Sequence, residues 1–232
     1  MKQQVAVIVP AYNEEHSIGG VVRKIKALGE GYHAIVINDN SNDQTSLIAQ
    51  QEGAIVVDLP CNLGIGGAVQ TGFRYALANE YDVCVQVDGD GQHPTEKVPY
   101  LSKTLNEEKC DLVIGSRFVM KTDYDISCMR RIGIQIISLF LWLSTGVSIK
   151  DPTSGFRATN RKAMGLFAKD YPQDYPEPQS LIFAHKYRFK VKEVSIEMKN
   201  RMHGTSSITS LKAGYYMIKV LLAMFIDLFK KP

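Results

Sequence analysis

The first half of this chain alternates between two patterns, and that alternation constrains its fold more than any other feature. Val5-Ala-Val-Ile-Val9 is a continuous apolar run closed by Pro10, and similar runs return at Ala34-Ile-Val-Ile37, Ala54-Ile-Val-Val57, Val83-Cys-Val-Gln-Val87 and Leu112-Val-Ile114. Short runs of this kind, without polar alternation, read as strands buried on both faces. Between them lie segments of helical spacing. Ile18, Val21, Val22, Ile25 and Leu28 share one face over 17–28, and further helices are expected over 43–51, 68–78 and 96–105. Buried strands alternating with amphipathic helices predict an α/β fold, a Rossmann-like and mostly parallel sheet flanked by helices. With 232 residues, 45% of them hydrophobic, the chain can bury one such core.

Sheets of this class bind ligands beyond the carboxyl ends of their strands. Three polar clusters fall there, at 10–14, 38–41 and 88–92, and a single site is expected from them. In the third cluster Asp88 and Asp90 alternate with Gly89 and Gly91, and Gln92 follows. Two aspartates in an extended segment bent by glycines can turn their oxygens toward one point. Hard cations such as Mg²⁺ and Mn²⁺ prefer an all-oxygen environment. Mg²⁺ usually takes one or two carboxylates and completes its shell with phosphate and water, so the cluster suits a metal held against a diphosphate. Asp and Gly also build ordinary solvated turns. The position at a strand end, beside two other polar strand ends, favours the site. His93 reads either as a donor behind these acids or as the start of the next helix.

The second half differs. Arg130-Arg131 precede an apolar helix expected over 132–147, which holds Gln135, Ser138 and Trp142. Asp151-Pro-Thr-Ser-Gly-Phe-Arg157 reads as a loop, 160–168 and 179–189 as helices, and 191–198 as a strand with Val194, Ile196 and Met198 on one face. A polar loop over 201–207 leads to an apolar helix over 211–229, which carries Lys212, Lys219 and Lys230 near one edge. A main domain over 1–207 and a C-terminal amphipathic helix over 208–232 are expected. That helix suits a membrane interface, with its lysines near anionic headgroups. It equally suits core packing or an oligomer contact. Lys219 and Asp227 argue against a spanning helix, and no uninterrupted apolar run reaches the roughly 18–20 residues one needs. A net charge of +3 makes no case for nucleic acid. The four cysteines, Cys61, Cys84, Cys110 and Cys128, form no C-x-x-C pair and read as reduced thiols of a cytosolic environment. The start Met1-Lys-Gln-Gln is too short and polar for a signal peptide.

The ordered set Val9-Pro-Ala-Tyr-Asn-Glu-Glu15, Ile37-Asn-Asp-Asn-Ser41 with Asp43 and Thr45, Asn62-Leu-Gly64, and Val87-Asp-Gly-Asp-Gly-Gln-His93 resembles the family 2 glycosyltransferases of GT-A fold. Gly115-Ser-Arg-Phe118, Asp151-Pro-Thr-Ser-Gly-Phe-Arg157 and Arg201-Met-His-Gly-Thr-Ser206 are similar to the dolichyl- and undecaprenyl-phosphate sugar synthases within it. The resemblance runs from Val5 to about Ser207. It implies inverting transfer of a hexose (glucose, N-acetylglucosamine or mannose) from a nucleotide-diphosphate sugar, with a UDP-sugar favoured, to a polyprenyl phosphate. It implies that Pro10, Tyr12, Glu14 and Asp39 hold base and ribose, and that Asp88 lies by the ribose or the metal. Asp90 and Gln92 would then ligate Mg²⁺ or Mn²⁺. Gly64 would let the backbone pass close to the donor, or serve as a turn glycine. The resemblance further implies that Arg117, Arg131 and Arg201 surround the lipid phosphate, with the Arg201 loop closing as a lid. Relatives often carry two acids where this chain has Asn38-Asp39, and often a serine at Gln135.

Asp151 reads either as the group that orients the reacting partners or as a turn-initiating residue before proline. The expected place is the cytoplasmic face of the cell membrane, held peripherally. A small integral membrane partner would supply the anchor that relatives carry in spanning helices; a homo-oligomer is the other assembly expected. Three competing functions make different demands. A hydroxyl acceptor would require a general base and no Arg117 or Arg131. A non-catalytic sugar-nucleotide-binding protein would bind without turnover. A nucleotidyltransferase would show a Gly-rich basic loop near the N-terminus, which 10–15 is not.

Overall fold

The computed structural model of the chain describes residues 3–119, 128–198 and 210–230. Its strands are β1 (Val5–Ala11), β2 (Tyr32–Asn38), β3 (Ile55–Asp58), β4 (Val83–Gln86), β5 (Leu112–Ser116), β6 (Arg157–Asn160) and β7 (Val191–Ser195). They form one seven-stranded sheet in the order β3-β2-β1-β4-β6-β5-β7. β6 runs antiparallel to both its neighbours, and every other pairing is parallel. The mostly parallel α/β sheet expected from the alternation is therefore present.

The helices are α1 (Ile18–Lys26), α2 (Thr45–Gln51), α3 (Gly64–Ala78), α4 (Val98–Glu107), α5 (Cys128–Thr145), α6 (Arg161–Lys169), α7 (Pro176–Lys186) and α8 (Ser210–Phe229). Side chains of β1 alternate between two cores. Val5, Val7 and Val9 pack with α1 and α4, whereas Ala6 and Ile8 pack with α3 and α6. That two-sided burial is why the strand reads as unbroken apolar sequence. A third core joins Leu112 and Ile114 of β5 to Ile137 and Leu141 of α5, Leu181 and Ile182 of α7, and Val220 and Met224 of α8.

Several boundaries differ from the sequence expectation. β3 is an edge strand with Ile55 and Asp58 exposed, so its apolar run does not mean burial on both faces. α3 starts at Gly64 and not at 68, because its first turn is glycine-rich and carries no apolar periodicity. β6 had no strand signal. Its four residues, Arg157 to Asn160, include two polar side chains that bond to neighbouring elements instead of facing solvent. α7 begins at Pro176, the first helical position, where the missing proline N–H costs nothing.

The C-terminal helix divides its surface. Val220 and Met224 are buried against the third core, and Ile218, Leu222, Phe225 and Phe229 are exposed along the opposite side. Asp227 is buried: its Oδ2 accepts from Gln179 Nε2 of α7 at 2.5 Å, and its Oδ1 pairs with Lys230 at 2.6 Å. Core packing and an exposed apolar face are thus both present, on different sides of one helix. Among the described residues, no helix is long and apolar enough to cross a membrane.

Candidate functional site

The carboxyl ends of β1, β2 and β4 lie side by side in the sheet, and the loops that leave them are braced to one another. Asn13 N–H donates to Ser41 Oγ at 2.9 Å, and Asn42 N–H donates to Asn13 Oδ1 at 2.9 Å. Glu14 N–H donates to Thr45 Oγ1 at 2.8 Å, and the Thr45 hydroxyl donates onward to Asp43 Oδ1 at 2.5 Å. Burial pushes the Asp43 carboxyl up, yet hydrogen bonds from Thr45 and Glu15 prevail and hold it below the ordinary aspartate range. Ser41, Asp43 and Thr45 therefore shape the loop that carries Tyr12 and Glu14. Asn38 donates to Asp58 Oδ1 at 2.7 Å, which an acid in its place would turn into charge repulsion.

Asp39 is buried and accepts from Leu63 N–H at 2.7 Å and from Gly64 N–H at 2.9 Å. Its charge thus sits at the N-terminal end of α3, where donors would otherwise go unpaired. Gly64 has φ of +76°, a left-handed conformation that glycine adopts without strain. Pro10, Tyr12, Glu14, Asp39, Asp88 and Asp90 all line one cavity of about 220 Å³. The structure therefore brings together five of the expected nucleotide-sugar residues, Asp88 among them, and Asp90, with Gly64 reaching the cavity through Asp39.

Behind the aspartates stands His93. Asp88 N–H donates to His93 Nδ1 at 3.0 Å, which places the proton of the neutral imidazole on Nε2, 3.5 Å from Asp88 Oδ2. Phe156 stacks on the ring at 5.1 Å. His93 is thus a group that fixes Asp88, one of the two roles open to it in the sequence. Gln92 N–H donates to Asp90 Oδ1 at 3.0 Å and closes the turn. Among the described residues, no three His, Cys, Asp or Glu side chains converge as a metal cluster.

The loop 151–157 supplies the other side of the site. Asp151 takes Arg117 Nε on Oδ2 and Arg117 Nη2 on Oδ1, each at 2.7 Å, and also accepts the Arg117 N–H at 3.1 Å. The side chains are 0% and 7% exposed, so this is a buried bidentate pair. Arg117, expected as a cation for lipid phosphate, instead has Nε and Nη2 committed to Asp151 and Thr153. Glu193 of β7 fixes the loop entrance by accepting the N–H groups of Lys150 and Asp151 at 2.9 and 2.7 Å. At the other end, a Cβ on Gly155 would lie 3.3 Å from Asp88 Oδ1 and 3.0 Å from Gln86 Nε2, so any side chain there would press these groups aside by a few tenths of an ångström.

A groove of about 480 Å³ opens beside this loop, lined by Phe118, Arg131, Gln135, Trp142, Ile149 and Lys150 among others. Arg131 and Trp142 are exposed in it, as their place on an apolar helix led by arginines suggests. Lys150 adds a cation that the sequence did not single out, because it carries no motif. Glu193 and the His93–Phe156 stack were likewise missed, since each matters through contacts remote in sequence. Arg201 and its loop lie outside the described residues.

A mostly parallel sheet with one antiparallel strand, polar loops at its carboxyl end and an acid-lined cavity there is the GT-A architecture. The chain belongs to glycosyl transferase family 2, whose model matches residues 6–166. It is 35% identical over 225 residues to an uncharacterised protein of Methanocaldococcus jannaschii, covering 94% of this chain and 92% of that one. It is 24% identical to the UDP-N-acetylglucosamine–dolichyl-phosphate N-acetylglucosaminyltransferase of Methanococcus voltae, over 95% of this chain and 97% of that one. It is 29% identical to the polyprenol monophosphomannose synthase of Mycolicibacterium smegmatis, over 94% and 86%. Among solved structures, glucosyl-3-phosphoglycerate synthase from Mycobacterium tuberculosis, in complex with Mn²⁺, UDP and glucosyl-3-phosphoglycerate, matches with a TM-score of 0.74 and 24% identity. That match covers 100% of this chain and 81% of that one. At that identity the likeness speaks for the fold.

Proposed function

We propose that this glycosyltransferase moves a hexose from a nucleotide-diphosphate sugar, a UDP-sugar by preference, to a polyprenyl phosphate, with inversion at the anomeric carbon. One observation carries the reading: the continuous segment 148–157 reaches both halves of the site. Gly155 lies against Asp88 of the acid-lined cavity, and Ser148, Ile149 and Lys150 line the apolar groove. A polar cavity for a nucleotide and an apolar groove with cations at its edge are what a phosphorylated lipid acceptor requires. Relatives named for dolichyl phosphate and polyprenol acceptors support the same assignment.

In this reading Pro10, Tyr12, Glu14 and Asp39 hold base and ribose in the cavity. Asp88, Asp90 and Gln92 would hold Mg²⁺ or Mn²⁺, which when bound balances charge on the departing diphosphate. An acceptor phosphate oxygen forms the bond to the anomeric carbon as the bond to the diphosphate oxygen breaks. A phosphate ester is already anionic near neutral pH, so no side chain has to remove a proton. Arg131 and Lys150 position that phosphate, joined by Arg201 from the resemblance. Arginine forks suit phosphate oxygens. The Arg117–Asp151 pair acts as a brace that sets the loop, a positioning role and not a phosphate contact.

The division into a catalytic part over 1–207 and a membrane-associating helix over 208–232 belongs to the same proposal. Ile132, Ile136, Leu139 and Leu143 of α5 and Ile218, Leu222, Phe225 and Phe229 of α8 are exposed. Resting these faces in the headgroup region of the cytoplasmic leaflet would bring the groove to its lipid. Purified protein with Mg²⁺ or Mn²⁺ and undecaprenyl phosphate, offered radiolabelled UDP-glucose, UDP-N-acetylglucosamine and GDP-mannose in turn, tests the reaction. Label should enter the organic phase with one donor, and Asp90→Ala should lower that rate by about 100-fold or more while the protein melts normally. An Asp90→Ala variant with undiminished transfer would remove Asp90 from the site.

A further inference from the structure

The segment 147–150 lines two cavities. Ser148, Ile149 and Lys150 line the groove beside the loop, whereas Val147 and Ile149 line a second cavity of about 390 Å³. That cavity is apolar inside, where Leu141 of α5, Leu181 of α7 and Val191 of β7 meet. Its rim is basic: His185, Arg188 and Lys190 line it, and all three are exposed. His185 and Arg188 also line an adjoining cavity of about 520 Å³, together with Lys186, Ser144 and Leu228. Among the described residues, no acid lines either cavity.

Basic side chains near helix carboxyl ends often serve those ends by bonding the last carbonyls. Lys186 does so, since its Nζ donates to Asp227 O and Lys230 O at the end of α8. Lys190 Nζ donates to Glu108 O at the end of α4, while the Glu108 carboxylate pairs with Lys192. Arg188 and His185 serve no helix end. Neither side chain makes a hydrogen bond or ion pair among the described residues. An apolar cavity rimmed by cations without carboxylate partners is the complement of an anionic amphiphile. The surroundings say which kind. Leu143 and Phe229, next in sequence to Ser144 and Leu228, are 70% and 73% exposed and end the apolar faces of α5 and α8. Basic side chains at the edge of such faces are where anionic headgroups gather.

We propose that this rim and cavity bind one anionic phospholipid, with Arg188, His185 and Lys190 around its phosphate and an acyl chain in the apolar cavity. The lipid held there is not consumed: Ile149 stands between this cavity and the groove of the proposed transfer. The inference goes beyond the transfer reading and stands or falls without it. Charge-assisted hydrogen bonds select the headgroup, and each methylene placed in the cavity adds affinity.

Calorimetry on the full chain tests this, with monomeric dihexanoyl- and dioctanoyl-phosphatidylglycerol, dioctanoyl-phosphatidylcholine and glycerol 1-phosphate as probes. Dioctanoyl-phosphatidylglycerol should bind about tenfold or more tightly than the phosphatidylcholine of the same chain length, and than its dihexanoyl form. Arg188→Asn combined with Lys190→Gln removes two cations, and asparagine suits the left-handed φ of +53° at Arg188. That variant should lose the preference for phosphatidylglycerol. Val147→Trp fills the cavity from a half-exposed position and should lose the gain from the longer chain. Both variants should melt as the wild type does. Equal affinity for the two headgroups would overturn the proposal, as would glycerol 1-phosphate binding as tightly as the dioctanoyl lipid, or no binding of any probe. Tighter binding of farnesyl phosphate than of dioctanoyl-phosphatidylglycerol would assign the cavity to the transfer acceptor, and would overturn it too.

Discussion

Asp151 gives both carboxylate oxygens to Arg117 in a place where neither side chain meets water. Removing one partner of such a pair leaves the other charged and desolvated, a loss of about 3–5 kcal/mol. Arg117→Ala and Asp151→Ala should each lower the unfolding free energy by roughly that amount, measured by urea titration. A change near zero in both would mean that the pair does not brace the loop. Glu177 makes the opposite prediction, because burial raises its folded-state pKa above the ordinary value of 4.5. At pH below that ordinary value the carboxyl is protonated in folded and unfolded chains alike, and its contribution to stability is fully present. The contribution is lost as pH rises through the folded-state pKa. The melting temperature of Glu177→Gln minus that of wild type should therefore climb as pH is raised from about 4.5 toward neutrality. A flat difference would mean that Glu177 ionises as it does in the unfolded chain. At this scale the sequence was half legible. Asp39, Asp88 and Asp90 stand out because aspartates at strand ends need a reason. Glu193 and Lys150 do not, because what they touch lies on other elements.

At the scale of elements, the proposed reaction would have the segment 148–157 and helices α5 and α8 bring donor and acceptor together. The loop is short, yet it is held at Asp151 by Arg117, at its entrance by Glu193, and at Gly155 by close approach to Asp88. Its identity as a loop was readable from Pro152 and Gly155, but its continuation into β6 was not. β6 pairs with distant strands, and such register is invisible to local pattern. α8 shows the same limit differently. Its sequence is apolar nearly all round, so periodicity alone does not separate the face on the core from the face left open. The structure separates them at Val220 and Met224 on one side and Leu222 and Phe225 on the other. Leu222→Glu with Phe225→Glu should weaken binding to vesicles of phosphatidylglycerol and phosphatidylethanolamine by about tenfold or more, with little effect on melting. Met224→Ala should instead cost about 2–5 kcal/mol of stability. Equal vesicle binding by the double variant and the wild type would place the membrane contact elsewhere.

Across the whole molecule, one sheet aligns three strand ends under an acid-lined cavity and sets an apolar groove beside it. The sheet was legible because burial on both faces writes unbroken apolar runs into β1, β2, β4 and β5. The site was legible as a place, since polar clusters after such strands have nowhere else to face. Its chemistry at the acceptor end was less so, because arginines on a surface look alike until a structure shows which are already paired. Arg117 illustrates this: its motif points to phosphate, and its geometry points to Asp151. The central claim is that the nucleophile is a lipid phosphate and not a hydroxyl. The most direct measurement offers one radiolabelled donor with undecaprenyl phosphate and, in parallel, with undecaprenol, which differs only in lacking the phosphate. The account predicts label in the organic phase with the phosphate and none with the alcohol. Transfer to undecaprenol, or to a glycan hydroxyl while undecaprenyl phosphate stays unlabelled, would contradict it.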